Sequence, residues 1–238
     1  MALETNRNTT RMQPLVALKA IRRLIRDPED TAQVFTIVRA LAGSSIARGY
    51  RRFRTLPVGQ RILAERRELL ETLKDRDALR ALPAGSLGRA YLHFVESENL
   101  TADGLVEASQ RESEEWLDAD MQRYGLRLRD QHDLWHTVTG YGRDELGELC
   151  LLAFTYAQTR NRGIGFIVLV GSFKMREAFG RGVFRAVRRG YGDGRRAAWL
   201  PGQDWEALLA RPLDEVRREL GIEEPLTYRT LLGEPVAA

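Results

Sequence analysis

The sequence predicts an all-α fold, a single-domain multi-helix bundle. Three observations predict it. Apolar residues recur at three- and four-residue spacing through most of the 238 positions, which is the period of a helix that buries one face. No convincing stretch alternates apolar and polar residues with the strand period of two. The segment 144–159 is apolar almost all round, with Leu146, Leu149, Cys150, Leu151, Leu152, Ala153 and Phe154; such a helix lies inside a core.

From the N-terminus, Leu15, Leu18, Ile21, Leu24 and Ile25 form one apolar stripe, and Asp27-Pro28 ends it because proline pushes its predecessor out of the helical region. Val34, Ile37, Val38 and Leu41 form the next stripe, with Asp30 or Thr31 near its start and Gly43 after it. Residues 58–80 carry Ile62, Leu63, Leu69, Leu70 and Leu73 among many charges and predict one long helix with an exposed face. Pro83, Gly85 and Gly88 punctuate the approach to Tyr91, Phe94 and Val95. Thr101 is placed to cap a short helix, and residues 112–139 continue the pattern. Gly140-Tyr141-Gly142 breaks it, and Asp144 caps the buried helix. Helices over 163–184 and 203–221 follow, separated by the glycine-rich loop Gly190-Tyr191-Gly192-Asp193-Gly194. Ile164 to Val170 would also fit a buried strand, but its neighbours offer no partner. The predicted domain is 14–225, with flexible ends at 1–13 and 226–238.

The bulk numbers narrow the function classes. With 43% hydrophobic residues the chain can fill one sizeable core. A single cysteine excludes a disulfide framework and a cysteine zinc site, and Cys150 reads as a small buried hydrophobe. The 37 basic residues against 33 acidic leave a net charge of only +4. Lysine occurs only at Lys19, Lys74 and Lys174, an arginine bias that reads first as genome composition. The clusters Arg51-Arg52-Phe53-Arg54, Arg188-Arg189 and Arg195-Arg196 read first as solvated helix faces and second as contacts for phosphate or anionic lipid. No interleaved aromatic platform accompanies them, so nucleic acid is not expected as a partner. The longest apolar run, Ile164 to Gly171, falls far short of the ~20 residues that span a bilayer. The first residues contain no apolar stretch of a secretory signal.

One cluster carries chemistry. His132 and His136 stand four residues apart, about 40° apart in projection on a helix, and Asp133 lies about 100° from the first. Glu148 sits one turn inside the next helix, and His136 is four residues before Gly140. In an antiparallel hairpin both side chains stand roughly 6 Å from the turn. Two imidazoles and two carboxylates (His132, Asp133, His136 and Glu148) therefore converge on one divalent ion. That donor set suits Zn²⁺, and also Fe²⁺ or Mn²⁺. An ionised carboxylate in so apolar a helix needs a partner. Arg143 is one candidate and the metal is the stronger one. The acid follows the first histidine directly, unlike a His-Glu-x-x-His protease. Gly180-Arg181-Gly182 and Gly163-Ile164-Gly165 lack the third glycine of a dinucleotide loop, and Ser86 and Ser172 have no base beside them. His93 reads as a histidine packed with Tyr91 and Phe94. The small-residue apolar stretch 163–173 fits either a slot for a lipid tail or tight helix packing.

The string His132-Asp133-x-x-His136, eleven residues, Glu148 resembles the metal motif of the coenzyme Q (ubiquinone) biosynthesis protein 4 family. Leu82-Pro83-Ala84-Gly85-Ser86-Leu87-Gly88-Arg89-Ala90-Tyr91-x-x-Phe94 is similar to that family's upstream signature, and Arg127-x-Arg129-Asp130 leads into the metal motif. Gly140, Gly147, Gln158 and Thr159 fall at family positions, and Trp205 through Pro212-Leu213-Asp214-Glu215-Val216-Arg217-Arg218-Glu219-Leu220-Gly221 resembles its C-terminal element. After Glu148 the family usually carries Lys, Trp and an acid, where this chain has Leu152, Ala153 and Thr155. That departure points to a bacterial branch.

The resemblance implies an all-helical homodimer that binds a prenylated quinone precursor at a membrane surface. It further implies zinc at His132, Asp133, His136 and Glu148, replacement of the ring carboxylate of a 4-hydroxybenzoate-type precursor by hydroxyl, and organisation of other ubiquinone-biosynthesis enzymes. The location it implies is the inner face of a bacterial cytoplasmic membrane, with the matrix side of the mitochondrial inner membrane as the alternative. On that reading Ile164, Phe166 and Leu169 line the tail slot. Arg127 and Arg129 steady the substrate carboxylate, unless they pair with Asp130 or Glu148. Two rivals stand beside it. One is a non-catalytic isoprenoid-binding scaffold with a structural metal. The other is a His-Asp phosphohydrolase, which needs an upstream histidine that only His93 can supply.

Overall fold

The computed structural model describes residues 12–26, 31–98 and 118–234. Among them are fifteen α-helices, one 3₁₀ turn at Leu200–Gly202 and no strand, only an isolated bridge between Ser86 and Pro212. The helices are α1 (Pro14–Arg26), α2 (Thr31–Ala40), α3 (Ser45–Phe53), α4 (Pro57–Ala64), α5 (Leu69–Lys74), α6 (Arg76–Ala81), α7 (Leu87–Ser97) and α8 (Ala119–Asp130). They continue with α9 (His132–Thr139), α10 (Glu145–Thr159), α11 (Arg162–Phe179), α12 (Gly182–Arg196), α13 (Trp205–Leu208), α14 (Leu213–Leu220) and α15 (Leu226–Leu231). The all-α expectation holds. Thr101 and residues 112–117 lie outside the described residues, as do Asp27, Pro28 and Asp30.

The core is built around α10. Leu146, Leu149, Cys150, Leu151, Ala153 and Phe154 are all buried, as an apolar circumference requires. Burial, with the charges of Asp144 and Asp193, pushes the Cys150 thiol up to about 12, so it acts as an inert hydrophobe. The closest neighbour of α10 is α12. Here the structure corrects the sequence: Gly190 to Gly194 form no loop but lie inside α12. A Cβ on Gly190 would stand 2.7 Å from the Cys150 carbonyl oxygen, and one on Gly194 would stand 2.6 Å from that of Phe154. Backbone contact of that closeness outweighs the helix penalty of about 1 kcal/mol per glycine. The break comes earlier, at Gly180, whose φ is 58°.

Other boundaries shift for local reasons. Residues 58–80 form three short helices instead of one. Arg66 adopts a φ of 53° after α4, and the Asp75 carboxylate accepts from the Ala78 N–H at 2.9 Å to start α6. The 112–139 pattern divides at Gln131, and Asp118 caps α8 by accepting from Asp120 and Met121. Residues 203–221 divide at Pro212. Ile164 to Val170 are helical. On α1 the buried face is Ala17, Ala20 and Ile21, whereas Leu15 and Leu18 are exposed. That face packs on α2, and α2 on α11, through Ile37 and Ile167. Past residue 225, where a flexible end was expected, α15 follows with Tyr228 buried.

The α8–α9 junction is held by Gln131. Its Oε1 accepts from the indole N–H groups of Trp135 at 3.3 Å and Trp205 at 2.6 Å. Beside it, the Arg127 guanidinium grips Glu206 at 2.7 and 2.5 Å. Arg67 grips Asp204 at 2.8 and 3.1 Å. Burial alone would raise the Asp204 carboxyl, but the Arg67 hydrogen bond and charge outweigh it and hold the carboxyl below its ordinary 3.8. A depressed carboxyl contributes stability above its unfolded pKa and loses it as pH falls through the folded value. Asp204→Asn is therefore expected to lower stability by about 1 kcal/mol at neutral pH and to make no difference once the pH is low enough to protonate Asp204 in the folded protein. Urea titrations of both proteins across that range test this; a constant gap at all pH values would contradict it.

Candidate metal centre

Helix α9 begins at His132 and ends where Gly140 takes a φ of 74°, a left-handed turn that favours glycine; its N–H closes on the His136 carbonyl at 2.9 Å. Asp144 then accepts from the N–H groups of Leu146 and Gly147 at 3.1 and 3.0 Å and opens α10. Gly147 has no room for a side chain, since a Cβ would lie 2.2 Å from the Gly142 carbonyl oxygen. The Tyr228 hydroxyl, from α15, donates to Asp144 and accepts from the Gly142 N–H at 3.0 Å. Arg217, from α14, donates to the carbonyls of Val138 at 2.9 Å and Thr137 at 3.2 Å, the last turn of α9. The hairpin is thus pinned from two later helices.

Within it, ligand atoms of His132, His136 and Glu148 all lie within 4.8 Å of one another. His136 Nε2 is 3.3 Å from Glu148 Oε1, and His132 Nε2 is 4.0 Å from Glu148 Oε2. The ring orientations are fixed from behind. His136 Nδ1 lies 2.9 Å from the Tyr141 carbonyl oxygen. A carbonyl only accepts, so Nδ1 carries the proton and Nε2 presents its lone pair. His132 Nδ1 faces Asp133 Oδ1 at 3.3 Å. Phe94 stacks on the His136 ring, with centroids 5.4 Å apart and planes at 20°.

The donor set fits a divalent cation. Each imidazole is anchored at Nδ1 by an oxygen and aims Nε2 at one carboxylate, the arrangement that orients metal-bound histidines. His136 Nε2 is buried and makes no hydrogen bond among the described residues; its approach to Glu148 is too poorly aligned to count as one. A buried polar atom without a partner is costly, and a cation resolves it. The site opens on one side: the His136 side chain is sealed at 0% exposure, whereas His132 and Glu148 retain 31% and 33%.

Burial alone would raise Glu148 and Asp133, yet both are held below ordinary carboxylate values. Glu148 is lowered by the His136 contact and the charges of His136, His132 and Arg143; Asp133 is lowered chiefly by the His132 hydrogen bond. Burial opposes protonation of His132, but Asp133 and Glu148 outweigh it and raise its pKa. Arg143 stands at the rim, with Nε 3.8 Å from Glu148 Oε1.

The remaining sequence candidates fall in different places. Asp133 lies outside the three-residue group, because it is turned about 100° round α9 from His132; it supports the imidazole instead. Arg127 is held by Glu206 and Arg129 by Asp130, at 2.6 Å, so neither is placed to clasp a substrate carboxylate. Ile164 is buried, Phe166 packs against the α1–α2 cluster, and Leu169 is 55% exposed. Cβ atoms on Gly163 and Gly165 would meet Val38 Cα at 2.6 Å and the Tyr156 ring at 2.9 Å, so tight packing accounts for these glycines. His93 is exposed on α7, not packed, and is not part of the metal-competent group, which removes the arrangement a His-Asp phosphohydrolase needs. Sequence reasoning missed the Phe94 stack, the Tyr141 carbonyl and the Tyr228 hydroxyl. The Gly-Tyr-Gly break signalled the second; the third comes from some ninety residues away and left no local sign.

A family profile described as "Coenzyme Q (ubiquinone) biosynthesis protein Coq4" matches residues 4–226. A zebrafish (Danio rerio) relative named "Ubiquinone biosynthesis protein COQ4 homolog, mitochondrial" is 35% identical over 181 residues, covering 73% of this chain and 63% of its own. A Botryotinia fuckeliana relative named "Ubiquinone biosynthesis protein coq4, mitochondrial" is 30% identical over 177 residues, covering 74% of this chain and 61% of its own. The match therefore spans less than two thirds of these relatives' length. A crystal structure of a candidate ubiquinone biosynthesis protein from Nostoc punctiforme superposes with a TM-score of 0.65 at 22% identity, covering 90% of this chain and 100% of that one, and so shares the fold. The profile match across nearly the whole chain, with a hairpin that brings His132, His136 and Glu148 together, places this protein in the Coenzyme Q (ubiquinone) biosynthesis protein Coq4 family.

Proposed function

We propose that this chain acts in ubiquinone biosynthesis on the head group of a prenylated 4-hydroxybenzoate-type precursor, replacing the ring carboxylate by hydroxyl. The observation that carries this reading is the half-open hairpin cluster, with His136 sealed and anchored while His132 and Glu148 face an accessible side. A divalent ion held there by His132, His136 and Glu148 (zinc first, iron or manganese as alternatives) would act as a Lewis acid towards the ring oxygens, drawing off charge as CO₂ leaves. The chain's own residues do the rest. Asp133 and the Tyr141 carbonyl hold both imidazoles in the tautomer that offers Nε2. Phe94 covers the inner face of His136 and keeps water from it. Loss of CO₂ and gain of hydroxyl removes two electrons from the ring; dioxygen accepts them and leaves as hydrogen peroxide, with water supplying the hydroxyl oxygen.

The prenyl tail keeps such a precursor in a bilayer, since each buried CH₂ is worth about 0.8 kcal/mol. No described helix is long and apolar enough to cross a membrane. Helix α1 suits surface contact: Leu15, Val16 and Leu18 are exposed beside exposed Lys19, Arg22, Arg23 and Arg26. Work as a homodimer at the inner face of a bacterial membrane, alongside other enzymes of the pathway, completes the proposal; the relatives' names place those proteins in mitochondria.

The test is isotopic. Metal-loaded protein is incubated in air with a prenylated 4-hydroxybenzoate carrying ¹³C in the carboxyl group. Release of ¹³CO₂ with formation of the hydroxylated ring is expected. Tight binding of metal and prenylated ring with no ¹³CO₂ would instead identify a scaffold.

A further inference from the structure

We infer that Arg143 is the residue that binds the anionic group of the ligand at this site, and that the group it takes is an aromatic carboxylate. The inference rests on the metal reading above and adds a residue to it.

Three observations support it. Arg143 lies on the turn between the two arms of the hairpin, at the open side of the cluster, and its side chain is 37% exposed. Its one charged contact is long, Nε to Glu148 Oε1 at 3.8 Å, and no hydrogen bond engages its terminal nitrogens among the described residues. A guanidinium carries five N–H donors in a planar fork that matches a carboxylate edge to edge. Arg143 therefore has its full pair of terminal donors to offer. The other arginines near the hairpin do not. Arg127 is spent on Glu206, Arg129 on Asp130, and Arg217 on the carbonyls of Thr137 and Val138.

Charge accounting gives the sign of the ligand. A coordinated imidazole is neutral, so in the loaded site only the ion, the two carboxylates and Arg143 carry charge. Two charges from a divalent ion and one from Arg143, set against the carboxylates of Asp133 and Glu148, leave one net positive charge beside the opening. A singly charged carboxylate neutralises it. Arg143 and the ion would then share the ligand, the ion acting on its oxygen lone pairs and the guanidinium fixing the plane of the carboxylate.

The same geometry separates this role from a structural one. If Arg143 merely propped up Glu148, its loss would loosen the cluster and weaken metal binding. If it serves the ligand, its loss removes a positive charge next to a cation. Metal affinity then holds or tightens while anion affinity falls.

The experiment uses the full chain loaded with Co²⁺, whose visible absorption reports both occupancy and ligand binding. Wild type, Arg143→Gln and Arg143→Lys are titrated with Co²⁺, then with 4-hydroxybenzoate and with its neutral isostere 4-hydroxybenzamide. Arg143→Gln should bind Co²⁺ at least as tightly as wild type and bind 4-hydroxybenzoate roughly 10- to 100-fold more weakly. Affinity for the benzamide should not change. Arg143→Lys should recover part of the loss, as a point charge without the fork. Equal 4-hydroxybenzoate affinity in wild type and Arg143→Gln would overturn this inference and leave the metal reading standing. Weaker Co²⁺ binding in Arg143→Gln would also overturn it, in favour of the prop. Failure of the wild type to take up Co²⁺ at all would overturn both.

Discussion

Replacing His136 by alanine will strip the protein of metal affinity while leaving it folded. His136 is the cluster's buried member. Its Nδ1 is fixed by the Tyr141 carbonyl, its ring is clamped by Phe94, and its Nε2 makes no hydrogen bond among the described residues. Disturbing partners behind a metal-bound histidine costs 10- to 100-fold in affinity, so removing the histidine itself should cost at least about 100-fold. The effect on the metal-free protein has two opposing parts. Loss of the stacked ring leaves a cavity, which destabilises. Loss of a buried polar nitrogen without a partner relieves a cost of about 1–3 kcal/mol. The expected outcome is a metal-free stability within about 1–2 kcal/mol of wild type, because these parts offset. With excess Zn²⁺ the wild type should melt at a higher temperature, by linkage to binding, and the variant should not respond. Calorimetry with and without Zn²⁺ reads both. Unchanged Zn²⁺ stoichiometry in the variant would show that the hairpin is no metal centre.

Trp205→Ala should be among the most destabilising single changes in the protein, by about 3–5 kcal/mol. Trp205 is fully buried, and its indole N–H donates at 2.6 Å to Gln131 Oε1. Gln131 is the hinge between α8 and α9, and it accepts from Trp135 as well. Truncation leaves a void at the centre of the main core and removes the shorter of the two hydrogen bonds that set the hinge. Since His132 follows Gln131 directly, the change should also misplace the first residue of α9. Trp205→Phe keeps most of the volume and loses the N–H, and should cost about 1–3 kcal/mol. Urea unfolding monitored by circular dichroism supplies the comparison. A loss below about 1 kcal/mol in Trp205→Ala would mean that the hinge is held elsewhere.

Helix class, the buried character of α10 and the hairpin that brings His132, His136 and Glu148 together were legible in the sequence, because each rests on local spacing. The hairpin in particular needed only the distances of His136 and Glu148 from the glycine turn. What was not legible depended on neighbours. Gly190, Gly192 and Gly194 look like a loop in isolation and belong to a helix because Cys150 and Phe154 press their carbonyls against two of them. Leu15 and Leu18 look like core in a helical wheel, yet α2 meets the alanine side of α1. Arg127 looks available for a ligand until Glu206 arrives from far along the chain. Asp133, expected as a ligand from the His132-Asp133-x-x-His136 string, sets its carboxylate against His132 Nδ1, a contact that spacing alone does not specify.

The tyrosine on α15 gives the site a particular history. Tyr228 reaches back 86 residues to Gly142 and 84 to Asp144. During synthesis the two arms of the hairpin leave the ribosome long before that hydroxyl exists. The nascent chain therefore carries its histidines and its glutamate on a turn that lacks its latch. The final geometry of the turn therefore waits until residue 228 has been made and α15 has docked.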